Sequence, residues 1–110
     1  MEFSLNETQL AFQDAARTFS EKELAPFASE WDAKKIFPKD TIKKAGELGF
    51  CGIYTSEDVG GLGMSRLDAA IIFEELAASC PSTTAYITIH NMVTWMIDAF
   101  GSQELRHEFC

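Results

Sequence analysis

The sequence lacks a basic face. It carries 9 lysines and arginines against 17 aspartates and glutamates, for a formal net charge of -8. Phosphate contacts supply most of the affinity of nucleic-acid binders, so this balance excludes that class. The one basic cluster, Lys34-Lys35 with Lys39, Lys43 and Lys44, is interleaved with apolar residues and predicts the solvated side of helices. No apolar run approaches the ~18 residues of a membrane-spanning helix. The opening Met1-Glu2-Phe3-Ser4 has neither the positive region nor the apolar stretch of a secretory leader, and no Arg-rich transit segment follows. Cysteine is scarce: Cys51, Cys80 and Cys110 form no Cys-x-x-Cys pair. Their odd number argues against a disulfide framework. His90 and His107 stand at no metal-ligand spacing with them, so no metal site is expected. The thiols are expected to be reduced and mostly buried, as in a cytosolic or organelle-interior compartment. Internal repeats and low-complexity segments are missing as well.

What is present is an ordinary globular composition, 46% hydrophobic and 24% charged over 110 residues. One core fits this length, burying roughly 65% of the surface an unfolded chain exposes. The spacing of apolar residues predicts helices throughout. Asn6 with Gln9 three residues later predicts a capping box. Leu10, Phe12, Ala15, Ala16, Phe19 and Leu24 then mark the apolar face of a first helix. Pro26 is expected to break that helix and to sit in the first turn of a second, over residues 27–35, with Phe27 and Trp31 on one face. Pro38 opens a third helix through Leu48, with Ile42, Ala45 and Leu48 as its buried edge and Gly49 as a left-handed cap. Residues 50–54 read as extended or irregular.

Ser65 with Asp68 starts a fourth helix, apolar on most sides and therefore expected to be buried. Cys80-Pro81-Ser82 reads as a break, followed by a fifth helix from about Thr83 to Phe100 that ends at Gly101. Ser102 caps a sixth helix that is still running at Cys110. A helix cut about two turns after its cap is marginal alone, so the chain is expected to be part of something longer.

Three motifs invite chemistry. Gly60-Gly61-Leu62-Gly63 lacks both the Gly-x-Gly-x-x-Gly spacing of a dinucleotide fingerprint and the Gly-Lys-Ser/Thr ending of a phosphate loop, and reads as a structural turn. His90-Asn91 has no nucleophile elbow to serve, and Glu74 and Glu75, being adjacent, point to different sides of a helix. The fifth helix is more unusual. Thr84, Thr88, Asn91 and Trp95 follow helical spacing, with Ala85, Met92 and Met96 beside them. Such a face can line a narrow apolar cavity or pack closely against neighbouring helices; spacing alone leaves both open.

The ordered set of motifs resembles the acyl-CoA dehydrogenase family over nearly the whole chain. It comprises Glu23-Leu24-Ala25-Pro26, Trp31-Asp32, Phe37-Pro38 and Leu48-Gly49-Phe50-Cys51-Gly52-Ile53. It continues through the glycine loop 58–65, with Val59 where the family more often has Tyr, then Phe73-Glu74-Glu75-Leu76-Ala77 and Gly101-Ser102-Gln103-Glu104-Leu105-Arg106. Residues 82–92 and the stretch 95–101 are most similar to the isobutyryl-CoA (short branched-chain) dehydrogenase branch.

The resemblance implies an all-α amino-terminal domain of about six helices, cut in the sixth, with a β-barrel and a second helical domain elsewhere. It implies a tetrameric flavoprotein that removes an α proton with a glutamate base and a β hydride with FAD. An electron-transferring flavoprotein would be its electron acceptor. The base and almost all FAD contacts belong to later domains, so no catalytic or cofactor residue carries over to this chain. The segment alone is expected to be inactive and to bind no FAD. What carries over is the far end of the acyl-chain cavity, at Thr84, Ala85, Thr88 and Met92. Thr84 stands where glutaryl-CoA members carry an Arg for a second carboxylate. A neutral residue there predicts a short, neutral, branched acyl chain, because an unpaired buried carboxylate is costly. The compartment implied is the cytoplasm of a bacterium or the mitochondrial matrix of a eukaryote. Two other readings fit the residues: a free-standing acidic helical module that binds a partner protein, and an acyl-CoA oxidase-like flavoprotein.

Overall fold

The structure, a computed structural model, describes residues 3–110; Met1 and Glu2, half of the opening read for a leader, lie outside the described residues. Six α-helices account for most of them, with no β-strand among the described residues. The all-α expectation therefore holds.

Helix α1, Glu7–Phe19, begins as its caps dictate: Gln9 N–H donates to Asn6 Oδ1 at 2.8 Å, and Asn6 N–H donates to Gln9 Oε1 at 3.0 Å. Beyond Phe19 the helix does not run straight to Pro26. It widens into a π-helical turn over Ser20–Leu24, whose last residue is fully buried. The apolar face is narrower than the spacing implied. Ala16, Phe19 and Leu24 are buried, whereas Leu10 is exposed. Pro26 lies in a turn, and α2, Ala28–Lys34, starts two residues after it. Phe27 and Trp31 stack with ring centroids 5.7 Å apart, as their spacing predicts.

Helix α3, Lys39–Glu47, buries Ala45, but Leu48 is 47% exposed, so the predicted edge is one residue shorter. Gly49 does adopt the left-handed conformation, at φ +87°. Residues 50–64 form an irregular stretch of turns with one 3₁₀ turn at Glu57–Val59; it carries Phe50 and Ile53 into the core, where Phe50 meets Phe19 edge-on at 6.0 Å. Helix α4, Arg66–Ala77, is capped by Ser65 and Asp68 as expected. It is not buried all round: Ala69, Ile72 and Leu76 are covered, while Leu67 is 66% exposed. Helix α1, the π-helical turn Ser20–Leu24 and helix α5 pack against it, and its outward side stays open. Helix α5, Pro81–Phe100, starts at Pro81 itself, since a first-turn proline loses no helical hydrogen bond. Helix α6, Gln103–Phe109, follows the Ser102 cap.

Helix α1 packs on α4, α4 on α5, and α5 on α6. The molecule measures 41 × 38 × 19 Å, about two helix diameters thick. All three thiols are free, but only Cys80 is buried; Cys51 and Cys110 are partly exposed, a correction to the expectation that most would be covered. The lysines of the basic cluster are all exposed, as predicted.

Candidate functional site

Helix α5 organises the candidate site. Asn91, placed by spacing on a possible cavity face, is instead fully buried. Its Oδ1 accepts from Ile53 N–H at 2.7 Å, and its Nδ2 donates to the carbonyls of Phe50 and Ile87, both at 2.8 Å. Two turns later Asp98 accepts from the Ser56 backbone N–H at 3.0 Å and from its hydroxyl at 2.6 Å. Arg106 on α6 donates to Asp98 and to both oxygens of Asp58. These side chains pin residues 50–58 along α5 and α6.

The Ser56 hydroxyl, the Ser56 N–H and the Arg106 guanidinium hold the Asp98 carboxyl below its usual range. Gln9 and Ser65 do the same for Asp68. A depressed folded-state value contributes stability above the unfolded aspartate value of about 3.9 that is lost as pH falls through the folded value. The protein is therefore expected to hold a constant urea midpoint from pH 7 to about 5 and to lose stability below about 4. Asp98→Asn is expected to flatten part of that acid dependence. An unchanged profile in this variant would contradict the assignment.

The glycine turn is structural, as read. Its amides are spent within the loop: Gly60 N–H donates to Glu57 O, Gly61 to Ser56 O, Leu62 to Gly52 O and Gly63 to Thr55 O, at 2.9–3.0 Å. No donor remains to cradle a phosphate. His90 is likewise structural in its contacts, with Nδ1 3.0 Å from Cys51 O and 3.3 Å from Thr94 Oγ1. No cluster of metal-ligating side chains occurs among the described residues. Glu75 pairs with Arg17 at 2.9 Å, and the adjacent Glu74 is exposed.

The adjoining, outward side of α5 borders an open, mostly apolar groove of about 640 Å³. Thr88, Ile89, Met92, Trp95, Met96 and Phe100 line it from the helix, and Tyr54 and Arg66 from outside. Of the four residues singled out in the sequence, Thr88 and Met92 line this groove. Ala85 is exposed and Thr84 is buried, and neither lines the groove. Both threonine hydroxyls turn back onto the helix, Thr84 to Cys80 O and Thr88 to Ala85 O, each at 2.8 Å. Their donors are satisfied locally, so neither hydroxyl proton is left for a group in the groove.

Tyr54 and Arg66 escaped the sequence reading, since neither shares a periodicity with α5. The Arg66 guanidinium lies 4.9 Å from the Tyr54 ring centroid and 4.5 Å from that of Trp95, within cation–π range. Phe100 meets the other end of this stack, edge-on to Trp95 at 5.9 Å.

The family described as acyl-CoA dehydrogenase, N-terminal domain, matches residues 6–110. The mitochondrial isobutyryl-CoA dehydrogenase of Bos taurus is 57% identical over 106 residues, which cover 96% of this chain and 26% of that protein. The corresponding enzyme of Dictyostelium discoideum is 51% identical over 105 residues, covering 96% of this chain and 25% of that one. A solved structure of glutaryl-coenzyme A dehydrogenase with glutaryl-CoA superimposes with a TM-score of 0.93 at 31% identity, over 99% of this chain and 29% of that one. The chain thus spans about a quarter of the length of the curated relatives it matches. With the capped helices in the expected order and a family match over nearly every residue, the chain belongs to the acyl-CoA dehydrogenase family, of which it is the N-terminal domain.

Proposed function

We propose that this domain forms part of the acyl-binding wall of a flavin-dependent dehydrogenase that converts a short, branched acyl-CoA to its 2-enoyl-CoA. The observation that carries the reading is the α5 face. Thr88 and Met92 border an apolar groove, the Thr84 and Thr88 hydroxyls are turned inward, and no charge arises from α5 itself along the stretch 84–92. A hydrocarbon chain is stabilised there by burial alone, whereas a terminal carboxylate beside Thr88 and Met92 would lose hydration without gaining a partner from α5.

The residues here do not fit the pyrophosphate of FAD, because every glycine-turn amide is already bonded within the loop. We therefore assign the cofactor to other parts of the full-length enzyme and no flavin contact to this segment, which would bind none by itself. The β-barrel and second helical domain, an electron-transferring flavoprotein as acceptor, and a tetrameric assembly belong to the same proposal. So does the compartment: the matrix of the mitochondrion, the organelle that the names of the two eukaryotic relatives give, or the cytoplasm of a bacterium.

Competition binding of acyl-CoA esters to the full-length protein tests the substrate class. Isobutyryl-CoA and other short branched esters are expected to displace a bound probe at least tenfold more effectively than glutaryl-CoA or long straight-chain esters. The reverse order would remove the reading. A second reading, a helical module that binds a partner protein, draws on the exposed Ile89, Val93 and Phe100. An acyl-CoA oxidase would share this domain's geometry, and oxygen consumption by the flavoprotein separates it from a dehydrogenase.

A further inference from the structure

The two ends of the groove differ in chemistry. Thr88 and Met92 are neutral, but the end near Phe100 holds a guanidinium. The chain has three arginines. Arg17 pairs with Glu75, and Arg106 with Asp98 and Asp58. Arg66 pairs with no carboxylate of the described residues, in a chain with 17 acidic side chains. Instead its faces are taken by Tyr54 and Trp95. Stacking uses the π faces of a guanidinium and leaves its N–H edge free, the edge that matches a carboxylate in a two-pronged hydrogen bond. Around it, Ile89 is 56% exposed, Met92 and Met96 are each 48% exposed, and Phe100 is 79% exposed. Together they form a contiguous apolar surface of the kind that monomers seldom leave uncovered.

We propose that this end of the groove seats an apolar segment bearing an aspartate or glutamate, and that the segment comes from the same polypeptide, beyond residue 110. Charge complementarity specifies the carboxylate: a bound apolar segment would strip water from Arg66, and an unpaired buried charge is costly. The length of the relatives, about four times that of this chain, supplies the polypeptide. The inference rests on the reading of this chain as one domain of a longer enzyme. It divides the groove, with the acyl chain at Thr88 and Met92 and the docked segment at Tyr54, Arg66, Trp95 and Phe100.

Carbodiimide cross-linking of the full-length Arg66→Lys variant tests it. The substitution keeps the charge and supplies an amine that a zero-length reagent joins only to a touching carboxylate. Peptide mapping is expected to show the introduced lysine linked to an acidic residue beyond 110. The Lys34–Glu30 pair, at 2.9 Å, serves as the internal positive control. A new amine linked within residues 1–110, linked to a small free acid, or left unlinked while the control pair forms would overturn the proposal. The intact mass of the natural product checks the underlying reading separately. A product of 12.2 kDa would remove the domain reading itself, whereas an unlinked amine in a long polypeptide would remove only the docked carboxylate.

Discussion

Asn91→Ala is expected to lower the stability of the protein by about 3–5 kcal/mol, a large part of the ~5–15 kcal/mol that holds a domain together. Asn91 is fully buried and joins α5 to the backbone at Phe50 and Ile53, some forty residues away in sequence. Alanine would leave the Ile53 N–H without an acceptor and the Phe50 carbonyl without this donor. Each unsatisfied buried group costs about 1–3 kcal/mol, and the vacated volume adds to that. Asn91→Asp separates the two bonds. It keeps an acceptor for Ile53 but sets a carboxylate against the Phe50 carbonyl, so a comparable loss is expected at neutral pH. Urea unfolding of both variants measures the effect; a loss under about 1 kcal/mol for alanine would show that the amide is not the staple described.

Gly61→Ala is expected to cost about 3 kcal/mol or more, because its Cβ would lie 2.2 Å from the Thr55 carbonyl oxygen and 2.5 Å from the carbonyl carbon. Those atoms are backbone, and the same oxygen accepts from Gly63 N–H at 2.9 Å, so relief would require opening the turn. Gly60→Ala is the contrast. No atom stands within 4 Å of its added Cβ, but φ is +94°, so only the ~1–2 kcal/mol of a left-handed non-glycine residue is expected. Thermal unfolding separates the two, with a drop of about 12 °C or more for Gly61→Ala against about 4–8 °C for Gly60→Ala. Equal drops would show that the close approach of Gly61 to Thr55 is relieved without opening the turn.

What the sequence made legible was local. Asn6 with Gln9 and Ser65 with Asp68 announced helix starts because the bonds they make span three residues. The glycine turn was readable for the same reason. Faces were harder, since burial depends on which neighbour arrives: Leu48 and Leu67 have apolar side chains at helical spacing and remain exposed. The widened turn at Ser20–Leu24 left no sequence mark, as its residues suit an ordinary helix equally well. In the candidate site, the spacing of Thr88 and Met92 brought them to one groove, whereas Asn91, in the same spacing series, turned into the core. The encounter of Arg66 with Tyr54 and Trp95 joins positions 12 and 29 residues apart, which no periodicity records.

The pinning of residues 50–58 also couples the two segments into one unit. Asn91 holds positions 50 and 53, Asp98 holds 56, and Arg106 holds 58, so the contacts advance in the same direction along both segments. Each closes a loop of about forty residues, and the entropic cost of such a closure falls mainly on the first contact made. Once any one of them engages, the loops left to the other two are short and they close at little further cost. The amides of residues 50–58 are thus expected to open to solvent exchange as one unit, together with the docking of α5.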